Sequence, residues 1–201
     1  MAETIIIALQ AIETLDELCE NAICSQKKYD NNDKEVLVGR LSEQDYKTAK
    51  RYLDHLKQLP EQPYEGCMAA RVIKGVEGEE GTLLIRFPIG LHIGDLPLHT
   101  HQFSRRRILM YEGEGEYHVV DKKENIRNVI KLKHGDIVDF AKGVIHTFIP
   151  QDGQEMLVYA KHNPFQLLDD ENILTREDCS KLPKRARTYN SSDEYASTHH
   201  K

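Results

Sequence analysis

Residues 94–119 read GDLPLHTHQFSRRRILMYEGEGEYHV, and residues 135–148 read GDIVDFAKGVIHTF. His99 and His101 stand two apart. On a strand, positions i and i+2 point to the same face, so both imidazoles enter one interior. His146 follows about 45 residues later, inside the second stretch. Neutral imidazole binds zinc, iron, nickel and copper, and three converging imidazoles suffice for an open metal site. In a chain with ten histidines an i, i+2 pair alone is weak evidence, since it also fits a solvent-facing strand. The residues around it carry more weight.

Outward from these stretches, the chain after Gly66 alternates short Val/Ile/Leu/Phe/Tyr runs with Gly, Pro, Asp and Asn. The pattern predicts strands near 68–74, 82–88, 97–102, 106–112, 115–121, 127–132, 136–140, 145–150 and 155–162. Asp121 to Asn125 reads as a hairpin tip and Gln151-Asp152-Gly153 as a turn. Many short strands at such spacing indicate an antiparallel sandwich or barrel. Before them, residues 4–24 show helical periodicity through Ile5, Leu9, Ile12 and Cys19, with Leu15 and Ala22 nearby. SQKKYDNNDKE (25–35) reads as a loop. Ser42 and Asp45 then resemble a capping box that opens a second helix, with a stripe of Tyr46, Ala49, Tyr52, Leu53 and Leu56 ending before Pro60. The expected division is a helical N-terminal extension (1–65), a β-barrel (66–165) and a C-terminal segment (166–201). That last segment holds one short helix, Leu174 to Leu182, and a polar tail too poor in apolar residues to pack.

The two quoted stretches resemble the two motifs of the cupin superfamily. Gly94, His99, His101, Gly113 and Gly115 carry the first, and Gly135, Asp136, Gly143 and His146 the second. The resemblance covers about residues 90–150 by motif and 68–162 by strand pattern. It implies a mainly β fold: a single antiparallel barrel of jelly-roll type with an interior pocket, metal-bound in many members. Ala141 stands where the family has a proline, and Pro150 where it has an asparagine. The family's glutamate ligand falls on Arg106. By parity Arg106 shares a face with Ile108 and Met110, so it points inward if they line the barrel. A guanidinium stays protonated and offers no lone pair, so it cannot replace a carboxylate ligand.

Three outcomes stay open. His99, His101 and His146 hold a metal alone while Arg106 binds an anionic substrate; Gln102 or water completes the shell; or Arg106 displaces the metal. The last leaves a metal-free binding or sensor module, or an isomerase-like enzyme that uses histidine as acid or base. Three-histidine sites occur among cupin-type thiol dioxygenases, which use ferrous iron. The resemblance therefore implies Fe(II) first, with zinc, manganese or nickel as the other ions, and oxygenase-like chemistry. Tyr117 is expected in the core with a hydroxyl that can donate a proton, and Phe148 shares the face of His146. With Gln102, Ile108 and Met110, Phe148 lines the expected pocket. His92 and His162 read as structural.

Composition bounds the remaining classes. The 201 residues carry 27 Lys+Arg and 33 Asp+Glu, a formal charge of −6, against a dedicated nucleic-acid binder. No apolar run reaches the roughly 20 residues that span a bilayer. MAETIIIALQ lacks a basic leader, so a cytoplasmic protein is expected. Cys19, Cys24, Cys67 and Cys179 show no paired ligand spacing and are expected as reduced thiols. The expected partners are a small molecule and a second copy of the chain in a homodimer, with no nucleic acid and no membrane.

Overall fold

A computed structural model describes residues 2–23, 27–31, 34–64, 68–91, 98–121, 126–165, 170–171 and 184–185. The elements in chain order are α1 (Ala2–Ile23), β1 (Lys27–Asn31), β2 (Lys34–Arg40), α2 (Glu43–Leu56), β3 (Gln62–Tyr64), β4 (Met68–Lys74) and β5 (Gly81–Phe87). There follow β6 (Thr100–His101), β7 (Arg105–Glu112), β8 (Glu114–Asp121), β9 (Ile126–Lys133), β10 (Asp136–Phe140), β11 (His146–Pro150), β12 (Met156–Asn163), β13 (Asp170–Glu171) and β14 (Lys184–Arg185). Among the described residues the large sheet runs β1-β2-β10-β7-β12-β5-β4-β3 and the small one β11-β8-β9-β14, with β6 paired to β13 beside them. The fold is mainly β, a jelly-roll arrangement with an N-terminal helix, antiparallel except where β14 runs parallel to β9. No helix among the described residues is long and apolar enough to cross a membrane.

Alternation divides the large sheet into two faces. Ile108 and Met110 of β7, Val138 and Phe140 of β10, and Val158 and Ala160 of β12 turn inward. They meet Tyr117, Val119, Ile130, Leu132 and Phe148 of the small sheet. Leu109, Tyr111, Ile137, Leu157 and Tyr159 turn the other way, under Leu15, Cys19 and Ile23 of α1 and Ala49, Leu53 and Leu56 of α2. The helices thus cover the outer face of the large sheet. Polar contacts pin them there. Tyr46 Oη donates to the Tyr111 carbonyl at 2.7 Å, the Tyr111 hydroxyl donates to Asp54, and Lys161 Nζ bonds Asp16 at 2.6 Å. Ser42 caps α2 as expected, its Oγ accepting from the Asp45 N–H at 3.1 Å.

The strands expected after residue 66 fall within a few residues of their places, except that 97–102 shrinks to the two-residue β6, with residue 97 outside the described set; β13 and β14 were not expected. Residues 25–35 correct the sequence reading. Their described part, residues 27–31 and 34–35, is strand: β1 pairs with β2, and β2 pairs with β10, so the first 65 residues are not helical throughout. KEVLVGR carries only three consecutive apolar residues, yet Val36 reaches the inner core while Leu37 packs outward. Arg40 Nε anchors the hairpin to Asp136 at 2.7 Å. The C-terminal helix expected at 174–182, the polar tail, Gly94, His92, Cys24, Cys67 and Cys179 lie outside the described residues.

Candidate metal centre

The site begins with a two-way backbone bond. His99 N–H donates to the His146 carbonyl at 3.0 Å, and His146 N–H returns to the His99 carbonyl at 2.8 Å. Such a pair stands side by side in an antiparallel ladder, so its side chains project together. His101 lies two residues on, on the same face, and its carbonyl accepts from the Gly143 N–H at 2.6 Å, which ties the turn before β11 to β6. The three rings converge, with centroids 4.8, 4.7 and 5.1 Å apart for His99–His101, His99–His146 and His101–His146. One ligand nitrogen from each lies within 4.8 Å of the others.

The protonation states leave imidazole lone pairs to face that gap. His101 and His146 are buried, and His99 is partly exposed. Burial pushes the His101 imidazole far toward its neutral form, and the charges of Arg106 and His99 add to that. Burial does the same for His146, reinforced by His99 and His101. The neutral form is the one that has a lone pair to give. His146 Nδ1 lies 3.0 Å from the Val144 carbonyl. A carbonyl only accepts, so Nδ1 carries the proton and Nε2 is left as the ligand atom, an orientation common to metal-bound histidine. By donor chemistry the residues fit a divalent metal.

Around the rings the wall is aromatic. Phe140 lies 4.2 Å from His146, and Tyr117 lies 5.7 Å from His146 and 4.8 Å from Phe148. Tyr117 is fully buried, and its hydroxyl has no hydrogen-bond partner among the described residues. Burial, with a smaller contribution from Asp139, pushes its pKa well above the ordinary value, so the hydroxyl stays protonated as a donor. Leaving such a group unmet costs roughly 1–3 kcal/mol. Two further buried polar groups are unmet on inner-face positions: both ring nitrogens of His162, and Oδ1 of Asn128, which alternation groups with Ile130 and Leu132. Cross-strand rows bring them to the histidine end. His146 pairs with Val119, which pairs with Asn128; on the large sheet Phe140 pairs with Arg106, which pairs with His162.

Arg106 is 4% exposed and shares its inward parity with Ile108 and Met110, while Arg105 and Arg107 turn outward to chelate Asp139 at 2.6 and 2.9 Å. Its charge acts on His101, His146 and His162 alike. Ile108, Met110 and Phe148 are buried in the inner core. Gln102 is half-buried in the bend after β6. His118, on the opposite face from Tyr117, pairs through Nε2 with Glu116 at 2.8 Å. Sequence reasoning read His162 as structural and did not single out Asn128. The signal for His162 was its even spacing from Val158 and Ala160 along β12.

No protein-family model and no curated protein matches the sequence. Solved structures do. A Klebsiella pneumoniae protein with a double-stranded β-helix domain is similar over 53% of this chain and 84% of its own, at 22% identity and a TM-score of 0.41. The cupin domain of Schizosaccharomyces pombe Cnp3 is similar over 53% of this chain and 65% of its own, at 10% identity and a TM-score of 0.40. Bacillus subtilis oxalate decarboxylase is similar over 64% of this chain and 38% of its own, at 16% identity and a TM-score of 0.47.

Proposed function

We propose that this chain is a metal-dependent cupin enzyme acting on a small anionic molecule, with His99, His101 and His146 as the ligands. The observation that carries this reading is the convergence of three ligand nitrogens within 4.8 Å. A divalent metal held there would supply Lewis acidity or activate dioxygen. Ferrous iron is the ion assigned, ahead of zinc, manganese and nickel. The chain's own residues do the rest. Arg106 presents a planar fork that orients an anion by paired N–H donors. The Tyr117 hydroxyl, held protonated by burial, donates to the bound molecule. Ile108, Met110 and Phe148 keep water out, which strengthens every polar contact inside.

A second reading draws on Arg106 itself. The same positive field that disfavours protonated His101 also opposes a metal cation, so the barrel would be a metal-free module that binds a small ligand. Metal analysis of protein purified without a metal-affinity step separates the two. A stoichiometric metal that disappears in His101→Ala is expected. A metal-free wild type together with metal uptake only in Arg106→Glu would defeat the enzyme reading. Oxygen uptake with thiols and small carboxylates then tests the oxygenase assignment.

A further inference from the structure

Three inner-face side chains at the histidine end carry buried polar atoms that no group among the described residues meets: the Tyr117 hydroxyl, Asn128 Oδ1 and both ring nitrogens of His162. They come from three strands and both sheets, β8 and β9 on one side and β12 on the other. Tyr117 and His162 are fully buried. The Tyr117 ring lies 5.7 Å from His146, and Asn128 stands one strand beyond Val119, the cross-strand partner of His146. Along β12, His162 follows Val158 and Ala160 on the inner face. The Phe165 ring stacks on one face of His162 at 5.9 Å and 27°. That placement needs a glycine at residue 81, where a Cβ would stand 2.4 Å from the Phe165 ring. Stacking covers the face of an imidazole, whereas both nitrogens lie on its edge. Side chains kept only to fill these positions would be apolar, as Val119, Ile130, Val158 and Ala160 beside them are.

We propose that Tyr117, Asn128 and His162 form a subsite for the hydroxyl groups of a small polyol or sugar-like molecule. This rests on the reading that the barrel interior binds a small molecule, and it does not depend on the metal. At pH 8 a phenol, an amide and an imidazole are uncharged on their ordinary pKa values, and burial moves Tyr117 and His162 further that way. A charged group set against these three would leave water without gaining a counter-charge from them, which is strongly disfavoured. An apolar group would leave their donors and acceptors unmet. The part of the ligand they contact is therefore polar and uncharged. Among such groups the hydroxyl is the best match, because one oxygen both donates and accepts. It can meet a phenol O–H, an amide oxygen, and an imidazole that offers one donor and one acceptor. Three such positions on three strands call for several hydroxyls on one carbon skeleton.

The test is a calorimetric titration at pH 8 of the full-length protein, purified without glycerol, with xylitol and with 1,5-pentanediol. The two share a five-carbon chain and differ only in the three inner hydroxyls. Wild type is expected to bind xylitol saturably and 1,5-pentanediol at least tenfold more weakly, a comparison that needs no variant to fold. His162→Phe and Asn128→Leu should each weaken xylitol binding at least tenfold, with metal content unchanged and the ligand-free melting temperature no lower than wild type. His162→Gln, which keeps a neutral donor and acceptor, should recover most of the loss. No saturable binding of xylitol, equal binding of 1,5-pentanediol, or unchanged xylitol binding in either apolar variant would overturn the assignment. So would loss of metal from His162→Phe, since that makes His162 part of the metal shell. Failure of the metal reading looks different: wild type without metal, xylitol binding intact and still dependent on His162.

Discussion

Tyr117→Phe is the most discriminating single-atom change the structure offers. The ring would stay in the same packing, against Phe148 at 4.8 Å and Phe140 and His146 at 5.7 Å each, so no cavity opens. What leaves is a hydroxyl that is fully buried and has no partner among the described residues. A buried donor in that state costs roughly 1–3 kcal/mol, so its deletion should stabilise the ligand-free protein by about 1 kcal/mol. For a chain of this size that is a rise of about 2–4 °C in melting temperature. If the hydroxyl is kept for a ligand, the same change should weaken ligand binding by about tenfold, the equivalent of about 1.4 kcal/mol. Denaturant titration of the ligand-free protein and calorimetry with xylitol measure the two effects separately. A variant destabilised by 1 kcal/mol or more with unaltered ligand affinity would refute the reasoning, because the hydroxyl would then be satisfied in the resting protein.

Other expectations follow from single contacts. Gly113 joins β7 to β8 at φ +82°, and a Cβ there would sit 2.2 Å from the Glu155 carbonyl oxygen. Gly113→Ala should therefore cost at least about 2 kcal/mol by denaturant titration, since both strain and a backbone clash act together. Burial alone would raise the Asp54 carboxyl, but the bonds from Tyr111 and Lys50 and the charge of Lys57 outweigh it and hold the group below its ordinary value. Its contribution is then present above about pH 4 and lost as pH falls through the lowered value. Asp54 is half exposed, so solvent screening keeps this contribution small. Asp54→Asn should lower the melting temperature by about 1–2 °C at pH 7, and the difference should shrink as pH falls through the lowered value. Burial pushes the Cys19 thiol up to about 12. Alkylation at pH 8, followed by peptide mass spectrometry, should find it roughly a thousandfold slower in the native protein than in the denatured one.

The inner end of the barrel shows why some of the site was legible in sequence and some was not. Parity is a local property: His99 and His101 share a face because two residues separate them, and Arg106 shares one with Ile108 and Met110 for the same reason. Both could be assigned without knowing any partner strand, and the capping box at Ser42 is local in the same sense. Register is not local. His162 meets Arg106 only because β12 pairs with β7 across 56 positions, through an irregularity between Leu157 and Val158 that shifts the count. No alternation within either strand reports that shift. The β1–β2 hairpin was hidden for a related reason. KKYDN has no apolar alternation, and its partner KEVLVGR is held in the sheet by β10, a strand about 100 residues further on. What the three histidines owe to sequence is thus direction; what they owe to the fold is company. Arg106 belongs to both. Its inward aim followed from its own strand, whereas its place beside a second buried imidazole came from long-range pairing. That pairing changes the chemical meaning of the arginine. A guanidinium facing three histidines opposes a metal cation there, whereas the buried imidazole of His162 beside it adds a neutral donor and acceptor to the same inner row.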